Sequence, residues 1–264
     1  MIRKLNEDDR NSTLKFLYRE ASINLFIIGD IENHGFEKNF MTVWGSFNEE
    51  NKLKGVFLKY YENYIAYYDK FDSDVECFKN IIRCNDCRNK VISGKSSIID
   101  DFKNVFKEFE IKETNFCELK DESGLKGYDD SIKVATDNDS KRICDFINGI
   151  KEFSDISGIS EEQFLENMRS KSGRTYYIEN EQKTIIANVQ TTAENSKSGM
   201  IVAVATKEEY RNRGLVTKCL SKLCKDMLKE GKTLCLFYDN PIAGKLYKKL
   251  GFKDIDKWTM IIEK

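Results

Sequence analysis

The chain has a single histidine and a single proline among its 264 residues. The histidine, His34, lies in the polar stretch ENHGFEK, where a surface loop is its expected place. A Ser-His-Asp or Cys-His mechanism would have to use this one side chain. Metal sites built from several histidines are excluded, because the sequence cannot supply the ligands.

Neither sign of charge is in excess, and no long apolar run occurs. The 43 basic and 44 acidic residues nearly cancel, to a formal net charge of -1. A dedicated binder of nucleic acid or membrane surfaces would usually carry a basic excess. No run approaches the roughly 18 apolar residues of a membrane span, and the opening MIRKLNEDDRN has no apolar stretch of a secretory signal. We therefore expect a cytoplasmic protein with no nucleic-acid or membrane partner.

The eight cysteines are scattered along the chain. Cys84 and Cys87 have the CxxC spacing of half a zinc site, but no second pair completes it. Several of the others fall in apolar segments, where a reduced cysteine acts as a small hydrophobe. The sequence therefore predicts structural thiols and no metal.

The first half of the chain alternates helical and strand patterns. Residues 11–35 carry apolar side chains at the spacing of one helix or two short ones. Three period-2 segments separated by short polar turns then predict an antiparallel meander. The remaining predicted elements are a helix at DVECFKNIIRCN, a strand at NKVISG, a helix at SSIIDDFKNVFKEF capped by Ser96 or Ser97, and a strand at FEIKETNFCELK.

Residues 121–131, DESGLKGYDDS, are polar and have no clear period, which is typical of a linker between domains. Beyond them the order of elements repeats. The predicted elements are a strand, two helices, a hairpin, an apolar strand at SGMIVAVAT, a helix near 215–229, a strand at TLCLFYD, a helix at PIAGKLYKKLG and a last strand. We interpret the shared order as an internal duplication of fold, with domains at 1–125 and 132–264.

A basic, glycine-bearing turn, RNRGLV at 211–216, joins the apolar strand to the helix that follows it. The first N–H groups of a helix have no internal partner, and the helix dipole favours negative charge there. Gly214 allows a ligand to approach the backbone closely, and two arginines add positive charge. The turn suits an anion such as a phosphate, although an ordinary surface turn would look the same in isolation.

A second segment, NPIAGKLYKKLGF at 240–252, follows this turn after one helix and one strand. Together the two segments resemble the GNAT (GCN5-related) family of acetyl-CoA-dependent N-acyltransferases, whose R/Q-x-x-G-x-G/A loop binds the CoA pyrophosphate. Val216 departs from the small residue at the last position of that loop. The whole arrangement resembles tandem GNAT proteins with a degenerate N-terminal copy.

This resemblance implies an α/β (α+β) fold of two GNAT-like domains, each a mixed, mostly antiparallel sheet flanked by helices. The acetyl-CoA site would lie in the second domain, with a strand edge for the pantetheine, backbone amides for the pyrophosphate, and Tyr247 as the general acid that protonates the CoA thiolate. The implied cofactor-binding residues are Val202, Ala203, Val204, Ala205, Thr206, Arg211, Asn212, Arg213, Gly214, Leu215, Val216, Thr217, Asn240, Ala243 and Tyr247.

The implied function is acetyl transfer from acetyl-CoA to a primary amine by direct attack in a ternary complex, in a monomer or homodimer. Two role assignments stay open, because Tyr247 is also compatible with a buried structural tyrosine and Asn240 with a plain N-cap. The general base is unassigned, with Glu208, Glu209 and Asp239 as the nearest carboxylates in sequence.

The acceptor is not identified by the sequence. We expect its cleft between the first helices of the second half and the central strands, with Phe153, Tyr176, Tyr177 and Gln190 as lining residues. Two other functions remain: a non-catalytic acyl-CoA-binding or regulatory module, and a protein-interaction scaffold that does not bind CoA.

Overall fold

The computed structural model of the chain describes residues 1–69, 74–153 and 160–264. Its strands are β1 (Ile2–Lys4), β2 (Met41–Phe47), β3 (Leu53–Tyr60), β4 (Asn63–Tyr68), β5 (Val91–Lys95), β6 (Phe109–Leu119), β7 (Ile132–Val134), β8 (Thr175–Glu179), β9 (Ile185–Thr192), β10 (Ser198–Thr206), β11 (Thr233–Tyr238) and β12 (Lys253–Glu263). Its α-helices are α1 (Arg10–Leu17), α2 (Leu25–His34), α3 (Val75–Arg83), α4 (Ser96–Ile99), α5 (Ser140–Asn148), α6 (Glu161–Arg169), α7 (Leu215–Lys229) and α8 (Pro241–Lys249). Within these described ranges, no helix has both the length and the hydropathy that crossing a membrane requires.

The contacts divide the chain into two compact units. Unit 1 contains Met1–Phe116, Phe237–Asp239 and Asp254–Lys264, and unit 2 contains Cys117–Leu236 and Asn240–Lys253. Each unit is therefore discontinuous in sequence. The continuous domains at 1–125 and 132–264 stay a prediction, from which the compact units differ mainly in the grouping of the last strand.

The two units share one strand order. In unit 1 the order is β1-β2-β3-β4-β5-β12, in which only β4 and β5 are parallel neighbours. In unit 2 the order is β7-β8-β9-β10-β11, in which only β10 and β11 are parallel. The predicted fold class, a mixed and mostly antiparallel sheet flanked by helices and present in two copies, is confirmed.

Unit 2 packs helices on both faces of its sheet. Helix α7 buries the side chains that recur every three or four residues along it, and the Tyr176 hydroxyl of β8 donates to Asp226 of α7 at 2.8 Å. The next strand residue, Tyr177, points to the opposite face, because successive strand residues alternate. There it joins a core cluster that includes Ile143 and Ile147 of α5 and Phe164 of α6.

The helix predicted at SSIIDDFKNVFKEF is wrong over most of its length. Helix α4 covers four residues and begins after Lys95, so neither serine is its N-cap, and a 3-10 turn at Asp100–Phe102 follows. Phe102, Val105 and Phe106 are nevertheless buried. Their spacing suits a helix face, but tight turns bury the same positions here, so periodicity alone could not separate the two structures.

The core of unit 1 includes aromatic rings from both ends of the chain. Trp258 of β12 lies 5.8 Å from the ring of Phe26, 5.7 Å from Phe116 and 5.4 Å from Phe237. Trp258 is 3% exposed. The last strand therefore supplies a central side chain of a unit made mostly of the first 116 residues.

We predict that Trp258→Ala destabilises unit 1 by about 3–5 kcal/mol, the usual cost of removing a large buried aromatic side chain. The variant leaves Trp44 of β2 as the only tryptophan, so denaturation followed by tryptophan fluorescence reports on unit 1. Trp258→Phe, which keeps the same reporter and most of the packing, is the matched control. If the Trp44 unfolding transition is the same in Trp258→Ala as in Trp258→Phe, the side chain of the last strand does not stabilise this unit.

Candidate active site

Strand β10 separates from its parallel neighbour partway along its length. Its pairing with β11 covers Ser198–Met200, whereas its pairing with β9 continues to Thr206. In these registers, residues 201–206 have β9 on one side and no described strand on the other. A free strand edge presents N–H and C=O groups that an extended ligand can pair with. The predicted pantetheine residues, Val202–Thr206, lie on this edge.

A β-bulge interrupts β10 within this free segment. The register with β9 shifts between Val202 and Ala205, and Ala203 has a φ of +51°. Positive φ is uncommon for a residue with a side chain. Such bulges bend a strand and redirect its peptide groups, so the edge changes direction at Ala203.

Asn188 of β9 holds the bulge in place. Its Nδ2 donates to the carbonyl oxygen of Ala203 at 2.9 Å, and the residue is fully buried. This contact is not among the interactions predicted from the sequence. The available signal was a carboxamide within the otherwise apolar run IIANV, where an unpaired polar group would be costly.

The loop between β10 and α7 ends in a left-handed glycine. Asn212 and Gly214 have φ values of +62° and +72°. Within the described backbone bonds, pairing stops at the Arg211 N–H and resumes at the Lys218 N–H, which donates to the Gly214 carbonyl at 3.1 Å. The N–H groups between them are therefore available at the N-terminus of α7. A Cβ on Gly214 would meet no atom within 4 Å, so the loop is open on that side.

The two arginine side chains of the loop are held by the protein itself. Nε of Arg211 donates to the Thr206 carbonyl at 3.2 Å, and its Nη2 pairs with Glu152 at 2.8 Å. Nη2 of Arg213 donates to the Glu209 carbonyl at 3.1 Å. These contacts fix the loop, and the available donors are then mainly backbone amides. Arg211 to Gly214 are exposed, and Leu215, Val216 and Thr217 are half-buried.

Helix α8 begins with the predicted side-chain cap. The Asn240 side chain accepts from the Ile242 N–H at 2.8 Å, and Pro241 occupies the first turn. Ala243 is half-buried in that turn. Further along α8, Tyr247 is 7% exposed and packs edge-on against Phe252, with ring centroids 5.9 Å apart.

Burial raises the pKa of the Tyr247 phenol to about 12, and the Cys117 thiol adds to this rise. The phenol is therefore protonated at neutral pH and can donate a hydrogen bond or a proton. The same burial is what a purely structural tyrosine would show.

The four predicted acceptor-lining residues do not share one face. Tyr177 joins the α5 side of the sheet, and Phe153 packs against the same cluster. Gln190 is on that side too, because it lies two residues from Asn188, the direct partner of Tyr177. Tyr176 is on the α7 side, bound to Asp226, so the structure does not bring it together with the other three.

None of the eight cysteines forms a disulfide; in the CxxC, Cys84 is exposed and Cys87 is half-buried. In the part of the chain that the structure describes, no three potential ligands from His, Cys, Asp and Glu are grouped for a metal ion. The nearby carboxylates of Glu208 and Glu209 are exposed in the 3-10 turn that follows β10.

Residues 21–261 match the family profile described as GNAT acetyltransferase. The match extends through both units. A search of curated proteins finds no match to the chain.

Solved structures share the fold at low sequence identity. A Drosophila protein has a TM-score of 0.74 and 9% identity, with 100% of this chain and 98% of that one covered. A GCN5-related N-acetyltransferase from Sphaerobacter thermophilus has a TM-score of 0.66 and 9% identity, with 100% and 95% covered. A tandem GNAT protein from the clavulanic acid biosynthesis pathway has a TM-score of 0.61 and 10% identity, with 99% and 97% covered.

We predict that Asn240→Ala lowers the free energy of unfolding by about 1 kcal/mol, the typical cost of losing an N-cap. Asn240→Asp keeps an acceptor for the Ile242 N–H and should cost less. Urea denaturation of the ligand-free protein measures both changes. Equal stability of wild type and Asn240→Ala, with weakened cofactor binding, would instead assign Asn240 to the cofactor.

Proposed function

The chain belongs to the GNAT acetyltransferase family, and from that premise we propose that unit 2 transfers an acetyl group from acetyl-CoA to a primary amine. The observation that supports the proposal is the path of the chain from β10 into α7. The free, bulged edge of β10 leads directly into the open N-terminus of α7. An extended ligand that ends in a pyrophosphate matches both features.

The pyrophosphate is assigned to the backbone amides from Asn212 to Thr217. These N–H groups lie at the positive end of the dipole of a 15-residue helix. The open space beside Gly214 permits close approach of an anion. The arginine side chains already bind Thr206, Glu152 and Glu209. Their positive charge therefore attracts the pyrophosphate mainly by long-range electrostatics and not by direct hydrogen bonds.

The pantetheine is assigned to the free edge of β10, where its two amides would pair as an added strand. This places the thioester near the bulge at Ala203. A strand amide redirected by the bulge is a suitable donor to the thioester oxygen, on which negative charge develops as the amine attacks. On this assignment, the bulge orients the amide that stabilises the developing charge.

In the reaction, the amine lone pair forms a C–N bond to the thioester carbon. The C–S bond then breaks, its electron pair leaves on sulfur, and the nitrogen loses a proton to solvent. Tyr247 is assigned to protonate the sulfur. Its pKa of about 12 exceeds the ordinary thiol value of about 8.5. A buried site also raises the pKa of a thiol, which brings the pKa of the CoA thiol closer to that of the Tyr247 phenol.

We assign no acetyl-CoA to unit 1. The junction between β4 and α3 reads DKFDSD at 69–74, which has three aspartates and no glycine, although residues 70–73 lie outside the described ranges. Three carboxylates before a helix oppose a pyrophosphate. This agrees with the expectation of a degenerate N-terminal copy.

We predict that Gly214→Asp weakens acetyl-CoA binding by at least about tenfold relative to Gly214→Asn. Both side chains tolerate a left-handed φ and have nearly the same size, so the pair isolates the added negative charge. Isothermal titration at low and high salt measures the difference, which should shrink as salt screens the charge. Equal binding by the two variants would place the pyrophosphate elsewhere, and absence of acetyl-CoA binding in the wild type would favour a scaffold.

We predict that Tyr247→Phe lowers kcat by about 10²-fold, the lower end of the usual contribution of a general acid, with the acetyl-CoA Kd unchanged. Release of free CoA with a panel of primary amines measures kcat. Tyr61→Phe, which removes an exposed phenol, is the control. Unchanged kcat would make Tyr247 structural, and tight acetyl-CoA binding without turnover on any amine would indicate a non-catalytic acyl-CoA-binding module.

A further inference from the structure

Two buried carboxamides lie side by side on β9. Asn188 is fully buried and Gln190 is 5% exposed, in a strand that is otherwise mostly apolar. Each has one buried polar atom without a hydrogen-bond partner in the described structure: Oδ1 of Asn188 and Nε2 of Gln190. Buried polar groups are almost always paired, because leaving one unpaired costs free energy. Two such atoms on neighbouring positions of one strand face are polar groups that a ligand could pair.

The two carboxamides point to one face of the sheet, because they are two residues apart on a strand. Asn188 is directly opposite Tyr177 of β8 and Ala205 of β10, and both of these belong to the α5 core cluster. Phe153 packs against the same cluster. The pair therefore lies on the α5 side of β9, next to the bulge in β10.

The Asn188 amide has a defined orientation. Its Nδ2 donates to the Ala203 carbonyl at 2.9 Å, and a flipped amide would set two oxygens against each other. Oδ1 is thereby fixed as an acceptor near the bulge. Gln190, one methylene longer, offers an N–H donor at its side.

Resting on the acetyl-transfer function above, we propose that Asn188 and Gln190 bind the acceptor amine and select its class. Oδ1 of Asn188 accepts an N–H of the attacking amine, and Nε2 of Gln190 donates to an oxygen on the neighbouring carbon of the acceptor. The ligand class is a primary amine with a vicinal hydroxyl or carbonyl oxygen, such as an amino alcohol, an amino sugar or an amino-acid amide.

The charge of the pair supports this class. Both side chains are neutral, so they provide no carboxylate to hold a second ammonium group, as a polyamine would require. A neutral acceptor atom also binds the uncharged amine, which is the nucleophilic form, without the strong preference for ammonium that a carboxylate has. The oxygen-binding donor explains why Gln190 and not an apolar residue occupies its buried position.

The test compares cyclohexylamine with trans-2-aminocyclohexanol, which differ by one hydroxyl, at equal concentrations of the free base. In the wild type, kcat/KM should favour the amino alcohol by at least about tenfold, the effect of one well-made hydrogen bond to a buried donor. Gln190→Met, which has a similar shape but no donor, should bring the ratio close to one. Gln182→Met, at an exposed turn position, should keep the wild-type ratio.

Two further measurements separate the possible failures. Acetyl-CoA binding by Gln190→Met should match the wild type, and its stability should be equal or higher, because an unpaired buried amide is lost. If no amine is acetylated, the proposal is tested by titrating the amino alcohol into the CoA-bound protein and comparing its affinity for wild type and Gln190→Met. Equal ratios in wild type and Gln190→Met, equal affinities in that titration, or destabilisation by the methionine would overturn it.

Discussion

The separation of β10 from β11 beyond Met200 is the constraint on which the arrangement of unit 2 depends. Backbone N–H and C=O groups need partners when water is excluded. Among the strands that the structure describes, residues 201–206 pair with β9 alone, so their outer edge requires solvent or a ligand. The bulge at Ala203 and the open start of α7 lie along the same segment. One irregularity in strand pairing is thus followed along the chain by a free edge, a bend and an open helix N-terminus.

Unit 1 repeats the strand order, but its strand β4, which corresponds to β10, has no bulge. Strand β4 also continues past its parallel register with β5, which ends at Ile65, but its pairing with β3 shows no shift. Beyond that register lie the buried rings of Tyr67 and Tyr68, whose hydroxyls donate to Glu20 at 2.9 Å and to Asp101 at 2.6 Å. The corresponding part of β10 carries small Ala and Val side chains. The corresponding strand positions therefore carry buried aromatic rings in one unit and small side chains in the other.

Periodicity and caps were sufficient to predict much of unit 2. The apolar spacing of α7 and the Asn-Pro start of α8 are local features that the structure retains. The bulge could not be predicted in this way. Its residue at positive φ, Ala203, is neither glycine nor asparagine, and its neighbours read as a regular strand. It depends on a hydrogen bond from Asn188, 15 residues away, which no local pattern encodes.

The grouping of β12 with unit 1 shows the same limit on a larger scale. An apolar strand at the chain terminus can pair with any exposed edge, and here β12 pairs antiparallel with β5 from Trp258 to Ile262. Sequence order favours the nearer half of the chain, because short connections are the rule. The aromatic rings around Trp258 are the physical reason for the other choice, since they enclose its side chain almost completely.

The double role of Asn188 limits how acceptor choice can vary in this fold. One end of its amide holds the Ala203 carbonyl, and the other end is the unpaired acceptor. A substitution at this position changes the bulge and the acceptor contact together, and therefore affects any acceptor. Gln190 has no such bond to the bulge, and its unpaired Nε2 points to the same face. Selectivity can consequently change at Gln190 while the path of β10 stays intact, which makes position 190 the place where related chains with other acceptors should differ.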